Sequence, residues 1–122
     1  MATDMLEYKL LNAEDIIFKE GDTPENAYLI HMGAVEVIVG HNGGSKILDT
    51  LNPGEFFGEM ALVDNQPRSA TAIAKVPTTC AMVSKENFEN LLNEAEPLTR
   101  AMLELLVKRL RKATRVSGSK IK

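Results

Sequence analysis

The sequence has no tryptophan, one cysteine and two histidines among 122 residues. A lone thiol, Cys80, leaves nothing to close an internal disulfide and fits a reducing compartment, so a cytoplasmic setting is expected. It lies in the apolar run Cys80-Ala81-Met82-Val83. A small packed residue is expected there, not a nucleophile. Two histidines are too few for a metal enzyme site built on several converging His and carboxylate ligands. His31 precedes Gly33 and His41 adjoins Asn42-Gly43, so both suit strand ends or turns. No nucleophile–base pair stands out; neither a catalytic residue nor a metal ligand is assigned, and no enzyme is expected. No apolar run approaches the ~20 residues of a membrane span. The segment Met1–Met5 has neither the basic region nor the apolar core of a secretory signal.

An apolar content of 44% and a charged content of 25% describe a globular protein, and the length suits one domain over 1–122. Charge is unevenly spread. Residues 108–122 hold seven of the fourteen Lys and Arg and no acid, so an acidic body with a net charge of −10 carries a basic tail. Three roles are open to that tail: a solvated helix end, a partner contact, or a polyanion contact whose binding would depend strongly on salt.

Short apolar runs punctuated by Gly21-Asp22, Gly33, Gly40, Asn42-Gly43-Gly44, Pro53-Gly54 and Asn65-Gln66-Pro67 fill residues 8–84. That spacing predicts many short strands in a sandwich or barrel. Ala34–Val39 alternates in part. Ala27–Met32 is expected to precede it in a hairpin turning at Gly33, and Asn42-Gly43 to turn it into Lys46–Leu51. Ile16–Phe18, Ala70–Ala74 and Thr78–Val83 complete the predicted strands. After Ser84 the period becomes helical. Phe88, Leu91, Leu92 and Ala95 fall at i, i+3, i+4 and i+7 behind Ser84 as cap, predicting a helix over 85–95. Pro97 suits the start of a second helix over 97–115, striped by Leu98, Met102, Leu105 and Leu106, with an unstructured tail over 116–122. Strands first and helices last give an α+β class.

One stretch reads as a site. Gly54–Leu62 and Pro67–Ala72 bring two glycines, two glutamates and an arginine within nineteen positions. Gly58 permits positive φ and close backbone approach. The turn Glu59-Met60-Ala61-Leu62 would then present backbone N–H groups to an anion. Arg68 is a planar fork suited to phosphate, and ionised Glu59 accepts from hydroxyl or N–H donors. Together they describe a sugar phosphate or nucleotide site. Taken singly, each also fits a capping glycine or a surface ion pair of little consequence.

The string Phe57-Gly58-Glu59-Met60-Ala61-Leu62, followed by Pro67-Arg68-Ser69-Ala70-Thr71, resembles the phosphate-binding cassette of cyclic nucleotide-binding domains. These occur in catabolite activator proteins, cyclic-nucleotide-dependent kinases and cyclic-nucleotide-gated channels. The resemblance extends upstream through Phe18–Asp22, Ala27–Ile30 and Gly33–Val37, covering roughly residues 8–115. It implies a mainly-β, double-stranded, jelly-roll-like β-roll carrying C-terminal helices, and a regulatory sensor without a cofactor. The ligand implied is cAMP, with cGMP bound more weakly.

The resemblance gives Arg68 the cyclic phosphate, Glu59 the ribose 2′-hydroxyl, and backbone N–H groups near Met60, Ala61 and Ser69 further phosphate contacts. The Ser69 hydroxyl sits where base preference is tuned. Val37, Leu48, Phe56 and Thr71 are candidates to carry the purine, or ordinary core. Leu105, Arg109 or Leu110 would be the lid, since there is no tryptophan to stack. The chain stops before a winged helix-turn-helix could fit, so no direct DNA contact is expected. The C-terminal helix would engage a homodimer partner or an effector domain. A scaffold or oligomerisation domain of the same fold, binding no nucleotide, is the alternative.

Overall fold

The computed structural model describes residues 7–41, 44–63 and 66–117. Among the described residues eight strands run in chain order: β1 (Glu7–Leu11), β2 (Ile16–Phe18), β3 (Asn26–Met32), β4 (Val35–His41), β5 (Gly44–Leu51), β6 (Phe56–Phe57), β7 (Thr71–Ala74) and β8 (Thr78–Ser84). Helices α1 (Lys85–Glu94) and α2 (Pro97–Ser117) follow. The strands form two four-stranded sheets, ordered β1-β8-β3-β6 and β2-β7-β4-β5, antiparallel at every pairing. Two such sheets closed face to face make a jelly-roll-like β-roll, as the family resemblance implies.

The inner faces share one core. Tyr28, Ile30 and Cys80 come from the first sheet, Val35, Val37 and Leu51 from the second, and Phe57 from the short strand β6. Small residues on β7 (Ala72 and Ala74, both fully buried) let the sheets approach. β1 and β6 are absent from the strands predicted. In β1 Leu10 points to solvent while Lys9 is half-buried, which hides the alternation. β6 has only two residues, too few to show a period.

The chain reversal at Gly33 corrects an expectation. β3 and β4 do not pair as a hairpin; β3 joins β8 and β6, whereas β4 joins β5 and β7. At Gly33 (φ 102°) the chain crosses from one sheet to the other. The Thr78 hydroxyl secures the crossing, accepting from Ala34 N at 3.2 Å and donating to Val76 O at 2.7 Å. The hairpin predicted between β4 and β5 is present, with His41 opposite Gly44; Asn42 and Gly43 lie outside the described residues.

Ser84 caps α1 as expected, in a reciprocal box with Asn87: Ser84 Oγ accepts from Asn87 N at 3.0 Å while the Asn87 side chain accepts from Ser84 N at 3.4 Å. The predicted tail begins within α2, which runs to Ser117; residues 118–122 lie outside the described set.

Cys80 lies in the core, and burial pushes its thiol up to about 11. An unfolded thiol ionises near pH 8.5. Between these values the native state keeps a proton that the unfolded state releases, so stability from the neutral thiol falls as pH rises from about 8.5 toward 11. Urea melts at pH 8 and pH 10.5 should show wild type losing about 2 kcal/mol more than Cys80→Ala over that interval. Equal losses would refute this.

Candidate functional site

The loop between β6 and β7 carries the predicted cassette, and Gly58 opens it. Its φ of 70° and ψ of 18° turn the chain out of β6 into a 3-10 turn, Glu59–Leu62. Within that turn Ala61 N donates to Gly58 O at 3.2 Å and Val63 N to Met60 O at 3.1 Å. The Ala61 N–H expected to face an anion is thus engaged inside the turn. Ala61 is buried, while Glu59 and Met60 are half-buried.

Arg68 is held at both main-chain ends. Its N–H donates to Asp22 O and its carbonyl accepts from Gly21 N, each at 2.8 Å. The Gly21-Asp22 turn is itself closed by Asp22 Oδ2, which accepts from Lys19 N at 2.9 Å. Arg68 is therefore no surface ion-pair residue: only 9% of it is exposed. Its Nη1 donates to Gly58 O at 3.1 Å and its Nη2 to Asn26 O at 2.6 Å. The guanidinium carbon stands 3.9 Å from the centre of the Phe18 ring. Nε is buried and has no hydrogen-bond partner among the described residues.

Burial draws the Arg68 guanidinium below its ordinary value, and the nearby Tyr28, Asp22, Glu59 and Glu25 oppose that shift. Arginine stays protonated nonetheless. The result is a buried cation whose bonds run to neutral carbonyls, an arrangement that favours an incoming anion.

Gly58, Glu59, Met60, Ala61 and Arg68 gather around this turn, and Ser69 follows Arg68 at an exposed position. The purine candidates separate. Val37 is 1% exposed and belongs to the core. Leu48 is 44% exposed, and Thr71 Oγ1 accepts from Glu20 N at 2.9 Å. Phe56 lines an apolar groove of about 580 Å³ where Leu29, Leu62 and Val83 meet Phe88, Leu103 and Leu110 of the helices. Leu110 lines this groove, while Leu105 and Arg109 are exposed. Sequence reasoning missed two contacts, the Asn26 carbonyl and the Phe18 ring. A carbonyl leaves no residue-type signal, and Phe18 reads as one more apolar strand position.

Gly58 is constrained twice. A Cβ added there would meet Arg68 Nη1 at 2.9 Å, Phe18 Cε2 at 3.3 Å and Asn26 O at 3.4 Å. Backbone strain alone should make Gly58→Ala less stable by about 1–2 kcal/mol in urea melts. The methyl should also displace the Arg68 fork, the movable neighbour. Wild-type stability in that variant would show that the turn relaxes to another conformation.

Among the described residues, no helix is long and apolar enough to cross a membrane, and no group of three or more His, Cys, Asp or Glu is placed to hold a metal.

A family model for the cyclic nucleotide-binding domain matches residues 8–95. The chain is 39% identical over 90 residues to a cAMP-dependent protein kinase regulatory subunit of Blastocladiella emersonii, covering 73% of this chain and 22% of that one. It is 37% identical over 98 residues to the cyclic AMP receptor protein of Thermus thermophilus, covering 80% and 45%. The chain thus spans less than half the length of these curated relatives.

Among solved structures, the half-site-occupied form of the EAL enzyme Bd1971 superposes with a TM-score of 0.83 at 34% identity, covering 88% of this chain and 97% of that one. The cAMP-bound and cGMP-bound forms of that enzyme superpose at 0.67 and 0.68, with 35% and 34% identity, over 89% and 90% of this chain and 30% of theirs. The two-sheet roll, the Gly58 turn beside a buried Arg68 and these matches agree: the chain belongs to the cyclic nucleotide-binding domain family.

Proposed function

We propose that the chain is a regulatory sensor that binds a cyclic nucleoside monophosphate, cAMP in preference to cGMP, and performs no catalysis itself. The observation that carries the proposal is Arg68: a buried cation, clipped at both main-chain ends and bonded to carbonyls beside the Gly58 turn. A cyclic phosphate supplies the single negative charge that such a cation accepts. Glu59 takes the ribose 2′-hydroxyl. Met60, Ala61 and Ser69 border the phosphate, and the Ser69 hydroxyl lets cGMP bind without requiring it. The relatives support the ligand class, since they include cAMP-dependent and cAMP-receptor proteins and an enzyme with cAMP-bound and cGMP-bound forms.

Binding at the cassette acts on the helices, because Glu59 and Leu62 of the turn line the same groove as Leu103 and Leu110 of α2. A ligand shifts that arrangement only by binding one state more tightly. The exposed stripe Leu98, Met102, Leu105 and Leu106 on α2 is the surface through which a second copy or an effector domain receives the signal.

Thermal melting with cAMP, cGMP and AMP tests the proposal. At a hundred times its Kd, a native-state ligand adds about 2.7 kcal/mol of stability. For a chain of this size that raises Tm by several degrees. cAMP should give the larger shift at equal concentration, cGMP a smaller one and AMP none. No shift with either cyclic nucleotide would favour a scaffold domain, and a larger shift with cGMP would reverse the base preference. Faster or slower hydrogen exchange in α1 and α2 on saturation with cAMP would report the helix movement; unchanged exchange would exclude it.

A further inference from the structure

We infer that Phe18 is a positioning residue for the phosphate-binding arginine, holding the plane of the Arg68 guanidinium by its ring face. Phe18 matters in this way only if the chain takes a cyclic nucleotide, as proposed above.

A break in β2 aims the ring. Regular alternation would bury only one of two neighbouring residues, yet Ile17 and Phe18 are both buried. The register of β2 against β7 shifts between Ile16 and Phe18, and such an irregularity re-aims a side chain. Phe18 is thereby turned inward at the strand's end, just before the Gly21-Asp22 turn that clips the Arg68 backbone.

Three contacts then fix the guanidinium. Gly58 O and Asn26 O accept from its two terminal nitrogens, and its Cζ stands over the Phe18 ring, 3.9 Å from the centroid. Two hydrogen bonds to one side leave rotation about the Nη1–Nη2 edge as the soft motion, and the ring face opposes it. Phe18 is itself braced. Its centroid lies 6.0 Å from both Tyr28 and Phe57, and those two stack at 5.2 Å. Phe18 Cε2 also lies 3.3 Å from the place a Gly58 Cβ would occupy, so the ring borders Gly58 as well as Arg68. A cation over a desolvated aromatic face is held more firmly than one in water. An aliphatic side chain of similar volume would fill the space without providing that face.

The test is a double-mutant cycle read by titration calorimetry with cAMP, performed well below each variant's Tm. Phe18→Leu and Phe18→Met, which keep much of the packing, should each weaken binding about tenfold, and Phe18→Tyr should stay within about threefold of wild type. In an Arg68→Lys background, whose ammonium has no plane to lie on the ring, the Phe18→Leu loss should shrink to about threefold or less. Ligand-free NMR gives an independent signature: the Arg68 side-chain protons should be shifted upfield by the ring current in wild type and Phe18→Tyr, but not in Phe18→Leu. An undiminished Phe18→Leu loss in the Arg68→Lys background, or no loss in the Arg68 background, would overturn the positioning role while the ligand assignment stands. Failure of wild type to bind either cyclic nucleotide, with the upfield shift present, would overturn the ligand assignment and leave only the ring–guanidinium contact.

Discussion

Arg68→Ala should weaken cyclic nucleotide binding by about 30- to 5,000-fold, corresponding to the ~2–5 kcal/mol lost when one member of a buried charge pair is truncated. The large effect follows from where the charge lies. Arg68 is nearly inaccessible to solvent, and its acceptors, Gly58 O and Asn26 O, carry no formal charge. A phosphate meeting this cation gains a partner that has already lost its water, so little must be desolvated on binding. The same geometry predicts an opposite tendency for the ligand-free protein. Burial disfavours the charged guanidinium, so its removal relieves a penalty while losing two hydrogen bonds. The ligand-free Tm of Arg68→Ala should therefore lie close to that of wild type, and the cAMP-induced rise in Tm should vanish. Arg68→Lys keeps the charge but cannot bond Gly58 O and Asn26 O as a fork, so its affinity should fall between the two. Calorimetric titration decides the matter: a Kd for Arg68→Ala within threefold of wild type would remove the arginine from the phosphate site.

Arg68 also shows how far the sequence could be read. Its residue type, its spacing from Gly58 and the small residues after it identify a cassette because those features are local and chemical. The positive φ at Gly58 and the 3-10 turn after it were legible for the same reason, as was the Ser84 cap. What decides the orientation of Arg68 is not local. The Asn26 carbonyl is 42 positions away in sequence, and the Phe18 ring reaches Arg68 through a register shift that composition does not reveal. The purine candidates failed to sort for a related reason. Val37, Leu48 and Phe56 all look like apolar strand residues, yet they occupy the core, an exposed strand surface and the helix groove. Period-two alternation tells which residues share a strand face; it does not tell which sheet the strand joins. The supposed hairpin at Gly33 is the same limitation, since pairing partners in a jelly roll lie far apart in sequence.

Gly33→Ala should destabilise the fold by about 3–5 kcal/mol, at the upper end for single substitutions. Two penalties combine. A φ of 102° is one that L side chains rarely adopt, so strain contributes about 1–3 kcal/mol. The added Cβ would also collide with Thr78 Oγ1 and come within 2.7 Å of Pro77 O and of Thr78 Cα. Unlike the guanidinium beside Gly58, two of these three atoms are backbone and cannot swing aside. The third belongs to the hydroxyl that ties Ala34 N to Val76 O across the sheet crossing, so moving it strips partly buried hydrogen bonds. Thr78→Ala would remove the Oγ1 collision but leave both backbone ones. The double variant should therefore recover less than half of the Gly33→Ala loss, which a rotatable side-chain clash alone would not predict. Urea denaturation of the four proteins measures the cycle. Full recovery in the double variant would place the constraint in the Thr78 hydroxyl, and a Gly33→Ala melt within about 1 kcal/mol of wild type would show that the crossing tolerates a side chain. Strand β4 leaves the crossing two residues later and β8 begins at Thr78 itself, so failure here loosens both sheets at once, including the β3 segment whose Asn26 carbonyl holds Arg68.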